Sequence, residues 1–108
     1  MIHMDINHVA MEVILNAGDG RADIELALAS CAVFDFDGAE THLKDAEAKI
    51  LQAHNAQTET IQAQAAGEDV EYSLLFTHAQ DTLMTISAEL HFAQRLLPVF
   101  RALASKNA

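Results

Sequence analysis

Two long stretches without a helix breaker constrain this chain most. Between Gly38 and Gly67, and again from Gly67 to Pro98, nothing interrupts a helix. Both stretches are rich in Ala, Leu, Glu and Gln, which are strong helix formers. The chain holds only 4 Gly and 1 Pro. No alternation of β-branched residues lasts long enough to compete with a helix. The pattern predicts an all-α fold of three long helices joined by short loops, in one domain over residues 1–108 with its core at about 5–104.

The first helix is expected over roughly Asp5 to Ala32, with Val9, Val13, Leu15, Ala17, Ile24, Leu26, Leu28 and Cys31 at mixed helical spacing. Gly18 and Gly20 either kink it, let a neighbour approach, or break it after Asp19. The one-helix reading is kept. For the second helix, Asp37 followed by Glu40 reads as a capping box with Asp37 as N-cap. Ala39, Leu43, Ala46, Ile50, Ala53, Gln57 and Ile61 form its stripe, and Gly67 suits its C-terminal cap. The third helix is expected to begin near Asp69–Glu71, where acids suit the positive end of the helix dipole. The tail from Ala104 to Ala108 is expected to fray.

That third helix carries two stripes. Leu75, Ala79, Ile86, Leu90, Ala93, Leu97 and Phe100 share one face. Leu74, His78, Asp81, Thr85, Ala88 and Phe92 share another, about 100° or more around the helix. A single-chain bundle needs one buried stripe per helix. The second predicts a subunit interface lined with polar groups. Composition agrees: aromatics are 6%, Trp is absent, and an alanine-rich core buries little area per residue.

Charge narrows the partners. Lys and Arg total 6 against 16 Asp and Glu, a formal net charge of -10. Too few cations are present to neutralise a phosphate backbone, which argues against nucleic acid. An anionic membrane surface is disfavoured for the same reason. No apolar run approaches the roughly 18 residues of a membrane span, so no membrane insertion is expected. The single cysteine, Cys31, permits no intrachain disulfide. With no signal-peptide pattern, the expected location is cytoplasmic.

Chemistry has few candidates. There is no Gly-rich phosphate loop, no zinc-type Cys pair and no Gly-x-Ser-x-Gly elbow. His78 and Asp81, three residues apart, share one helix face with Cβ atoms about 5–6 Å apart. Such a pair is ordinarily solvated surface; its setting in the apolar stretch from Tyr72 to Leu90 sets it apart. A histidine with one nitrogen held by an acceptor keeps its other lone pair for a phosphoryl group. A phosphoryl dianion about 6 Å from a carboxylate meets roughly 3 kcal/mol of repulsion per charge pair at an effective dielectric near 20. Asp81 must then be neutralised or turned away. If a symmetry axis runs along this stripe, several Asp81 carboxylates converge, and a divalent cation with oxygen ligands such as Mg²⁺ resolves both conflicts.

The remaining candidates read as structural. His3 and His8 sit at an exposed end. His42 and His54 lie too far apart to chelate one ion, and His54 reads as packed or hydrogen-bonded. His91 reads as solvent-facing, Cys31 as a small buried residue, and Met1, Met4, Met11 and Met84 as core filler.

The block His78-Ala79-Gln80-Asp81-Thr82-Leu83-Met84-Thr85, preceded by Ser73-Leu74-Leu75, carries a family likeness. So do Asn16-Ala17-Gly18-Asp19-Gly20-Arg21, Ala53-His54 with Gln57-Thr58 and Ile61-Gln62, and the Gly67-Glu68 turn. The chain resembles the lactose/cellobiose/diacetylchitobiose-type IIA component of the bacterial sugar phosphotransferase system over about residues 9–104. The resemblance implies an up-down-up antiparallel three-helix bundle that assembles as a homotrimer. It implies that His78 accepts phosphate from HPr on Nε2 and passes it to a cysteine of the IIB component, which phosphorylates a β-linked disaccharide entering through the membrane IIC component. Asp81 then binds a metal at the trimer axis, one Mg²⁺ per trimer, and Gln80 matches a glutamine near the active histidine. Two positions depart from the usual pattern: Thr82 replaces a second histidine, and Gly20 replaces an alanine, which by propensity loosens the first helix by up to about 1 kcal/mol. Two rival readings stand beside this one. One is a regulatory or structural oligomer that binds partners in a phosphorylation-dependent way. The other is a plain metal-binding bundle with His78 and Asp81 as ligands.

Overall fold

A computed structural model describes residues 5–106. Within them the chain is three helices and short turns, with no strand: α1 (Ile6–Ala32), α2 (Phe36–Ala65) and α3 (Leu74–Lys106). They run up, down and up in an elongated bundle of 62 × 20 × 19 Å. His3, Met1 and Met4, assigned above from the sequence, lie outside the described residues. Among the described residues no helix is long and apolar enough to cross a membrane.

The α1 helix is capped by Asp5, whose carboxylate accepts the His8 N–H, and runs unbroken through Gly18 and Gly20. Gly20 is buried against α2. A Cβ there would come within 2.8 Å of Ile50 Cγ1, so its role is close packing rather than loosening. At the far end Phe34 takes φ 63, the left-handed residue that closes α1. The Phe34 N–H donates to the Cys31 carbonyl and the Asp35 N–H to the Ser30 carbonyl, which satisfies carbonyls the helix leaves open.

The cap of α2 differs from the expectation. Asp35, not Asp37, is the N-cap and accepts the Gly38 N–H at 3.0 Å. A Cβ on residue 38 would collide with the Asp35 carboxylate, so glycine is what admits this cap. Asp37 and Glu40 are engaged elsewhere: both accept from Arg101 of α3, at 3.2 and 3.1 Å. Gly67 closes α2 as expected, at φ 87, with Glu68 N–H reaching back to the Ala63 carbonyl.

The α3 helix also starts later than expected, at Leu74 rather than Asp69–Glu71. Ser73 sets the start. Its Oγ accepts the Phe76 N–H and donates to Asn7 Oδ1 at 2.7 Å, tying the turn to α1. The acids before it stay outside the helix. At the other end the helix continues through Pro98 to Lys106 instead of fraying at Ala104. Pro98 is exposed, and the turn beyond it is fastened by Arg101 to the start of α2.

The core joins Val13, Ala17, Ile24 and Ala27 of α1 to Leu43, Ala46, Ile50 and Ala53 of α2 and to Leu83, Ile86, Leu90 and Leu97 of α3. The predicted inner stripe of α3 is the buried one along its middle; Leu83 joins it, and Leu75 and Phe100 at its ends are half-buried. On α2 the stripe shifts at its end: Thr60 is buried while Ile61 is exposed. Met11 and Met84 are exposed too and do not fill the core, because they lie on faces of α1 and α3 that no other helix of the chain covers. Cys31 is half-buried, and burial pushes its thiol above its usual range.

Candidate functional site

His78 stands in the second turn of α3, one turn after Leu74. The Ser73 cap and its tie to Asn7 fix where that turn begins, and therefore which way residue 78 faces. Core positions Ala79 and Leu83 hold the inner side of the helix. His78 and Asp81 both fall on the exposed outer side, as the two-stripe reading required. Helical Cα–Cβ bonds tilt toward the N terminus, so the imidazole leans over the first turn. There the helix dipole is positive and favours an anion by roughly 0.3–1 kcal/mol.

Among the described residues the His78 ring makes no hydrogen bond and no ion pair with Asp81. Both side chains face outward, and the expected acceptor on one ring nitrogen does not come from Asp81 within the chain. The neighbouring threonines turn to their own backbone. Thr82 Oγ1 donates to the His78 carbonyl and Thr85 Oγ1 to the Asp81 carbonyl, each at 2.9 Å. Thr82, where the usual pattern has a second histidine, thus turns its hydroxyl to its own helix.

Gln80 is placed differently. Two residues on from His78 it turns about 200° around the helix and is half-buried. It lines a polar recess of 230 Å³ with Thr60, Gln64, Ser73 and Thr77, between the end of α2 and the turn before α3. The structure thus brings His78 and Asp81 to one face and sends Gln80 to another. His54 is exposed and makes no hydrogen bond, contrary to the packed reading, while His91 is exposed as expected. Sequence reading passed over Ser73 and Asn7, although a serine just before Leu74-Leu75-Phe76 is a legible cap signal.

Asp81 offers one oxygen donor group per chain. No three His, Cys, Asp or Glu side chains among the described residues gather into a single-chain metal cluster. An oxygen-only donor set suits a hard cation such as Mg²⁺. This residue fits such an ion only if carboxylates from several chains share it.

Charges elsewhere serve the fold. Arg21 pairs with Glu89 at 2.7 Å across α1 and α3, and Lys49 with Asp23 at 2.5 Å across α1 and α2. The hydrogen bond to Asp23 holds the Lys49 ammonium above its ordinary range, and the hydrogen bond from Arg101 holds the Glu40 carboxyl below its own.

The chain matches the family model described as "PTS system, Lactose/Cellobiose specific IIA subunit" over residues 8–101. It is 31% identical over 103 residues to the lichenan-specific phosphotransferase enzyme IIA component of Bacillus subtilis, spanning 95% of this chain and 94% of that one. Among solved structures it is similar to the cellobiose-specific enzyme IIA of Bacillus anthracis, with TM-score 0.88, 30% identity, and 97% and 96% of the two chains covered. It is also similar to the chitobiose IIA of Escherichia coli solved in complex with HPr, with TM-score 0.81, 26% identity, and 94% and 99% covered.

Proposed function

The chain belongs to the lactose/cellobiose-specific IIA family of the sugar phosphotransferase system, and from that premise we propose that His78 is its phosphoryl acceptor. The observation that carries this reading is the position of His78: exposed, at the start of α3, on the one face of that helix the chain's own core does not use. In this reading Nε2 attacks the phosphorus of phosphorylated HPr. An N–P bond forms to His78 as the N–P bond to the HPr histidine breaks. A cysteine thiolate of the IIB component then attacks the same phosphorus, an S–P bond forms, and the imidazole leaves. The complex of a similar chain with HPr supports the donor. In-line positioning supplies most of the catalysis, since little covalent chemistry is asked of the protein.

The subunit works in the cytoplasm beside its partners and meets the membrane IIC component only indirectly. The sugar is a β-linked disaccharide such as lactose, cellobiose or diacetylchitobiose, chosen by the sugar-binding polypeptide rather than by this one. The chain assembles as a homotrimer through the exposed faces of α1 and α3, where Leu15, Leu74, Met84 and Phe92 stand in water in the isolated chain. Three Asp81 carboxylates then meet on the axis and hold one Mg²⁺, whose two positive charges offset most of their three negative ones. Gln80 reaches the reaction only through the recess it lines, as a support of the turn before α3.

Incubation with phosphoenolpyruvate, enzyme I and HPr is expected to add one acid-labile phosphate per chain. A His78→Ala chain that still takes up phosphate overturns the assignment.

A further inference from the structure

Most of the cations of this acidic chain are already answered within it. Arg21 pairs with Glu89, Lys44 with Glu40, Lys49 with Asp23, and Arg101 with Asp37 and Glu40. Two are not answered: Lys106 ends α3, and Arg95, within it, is exposed and makes no hydrogen bond or ion pair among the described residues.

Its position gives that observation meaning. From Asp81 onward, one turn beyond His78 at the open start of α3, Asp81, Thr85, Ala88, Phe92, Arg95 and Val99 follow one another at alternating steps of four and three, a heptad seam, and every one of them is exposed. Arg95 falls two heptads after Asp81, about 21 Å farther along α3 at 1.5 Å per residue. In an assembly closed around this seam in parallel, residue 95 meets its own copies as residue 81 does. The seam positions on either side are Phe92 and Val99, 65% and 49% exposed in the single chain, and their layers would shut the Arg95 layer off from water. The residues one turn from Arg95 are His91, Phe92, Pro98 and Val99, so none supplies a carboxylate. The nearby Glu89 is taken by Arg21. A guanidinium does not shed its proton to escape such a place.

We propose that the threefold assembly holds a small tetrahedral oxyanion, of the phosphate or sulfate class, on its axis between three Arg95 guanidiniums. The inference rests on the trimeric reading given above. It adds a second axial ion level, opposite in sign to the Asp81 level. Guanidinium forks recognise oxyanions bidentately, and a tetrahedral oxyanion offers three equivalent oxygens about one axis.

The test is equilibrium dialysis of inorganic phosphate against the full chain, with sedimentation equilibrium at constant ionic strength as phosphate replaces chloride. The wild type is expected to bind one phosphate per three chains, displaceable by sulfate, and to assemble more tightly in phosphate than in chloride. Arg95→Leu is expected to lose that phosphate and to remain trimeric in either salt, since it replaces converging charges with hydrocarbon. Arg95→Lys is expected to keep the charge but bind phosphate more weakly. A trimeric wild type that binds no phosphate overturns the site alone. So does an Arg95→Leu chain that falls apart in both salts, because the guanidinium would then be answered by a neighbour's carboxylate. A wild type that sediments as a monomer overturns the trimeric reading, and the site with it.

Discussion

The two faces of α3 are built from one continuous helix, yet they follow different rules. Inward, Ala79, Leu83, Ile86, Leu90, Ala93 and Leu97 are hydrocarbon without exception, and all are buried. Outward, Leu74, Ala88 and Phe92 alternate with His78, Asp81, Thr85 and Arg95, and all are exposed. A face meant only for water would not keep Leu74 72% and Phe92 65% exposed; a face meant only for packing would not carry an imidazole, a carboxylate and a guanidinium. The difference teaches that the inner face makes the fold, while the outer face is free to carry the proposed phosphoryl acceptor and a subunit contact.

Substitutions can break or sharpen that contrast. The largest effect on stability is expected at Ile86, 1% exposed between the other helices. Ile86→Ala should lower the unfolding free energy by about 2–5 kcal/mol. On the outer face Met84→Ala should change it by less than about 0.5 kcal/mol. Denaturant unfolding at dilutions where the chain is unassembled measures both, and equal losses would erase the distinction. A smaller loss, about 1 kcal/mol, is expected from Ser73→Ala, which removes the cap that sets the register of both faces. An unchanged midpoint would show that α3 finds its start without Ser73. The smallest effect concerns the end of α3 beyond Pro98. Arg101 lowers the Glu40 pKa, so the stability this pair adds is present above the ordinary carboxylate pKa of about 4.3 and is lost as pH falls through the lowered value. Glu40→Gln should therefore lower the thermal midpoint slightly at neutral pH and converge with wild type in acid. A gap that widens as pH falls would contradict the assignment.

Much of this was legible in the residues. The three helices, the buried and exposed stripes of α3, and the glycine closing α2 are local patterns, and each appears where the spacing put it. The misplaced features are those with a distant partner. The Asp37-to-Glu40 spacing favours Asp37 as the cap, but both acids bind Arg101 of another helix, and Gly38 leaves room for Asp35 to cap instead. Asp69 and Glu71 suit a helix start electrostatically, but Asn7 of α1 holds Ser73 in that role. Gly20 admits a kink, a break or a close neighbour on paper, and Ile50 of α2 selects the last.

The chain's own order of residues determined the helical fold, the acidic balance and the placing of His78 and Asp81 on one face, because helical periodicity acts over a few residues. Tertiary structure alone decided which acids bind Arg101, that a recess closes around Gln80, and that no helix of the chain covers Met11 and Met84. Those outcomes depend on which surface of a neighbouring helix arrives opposite each residue, and no short-range pattern contains that information.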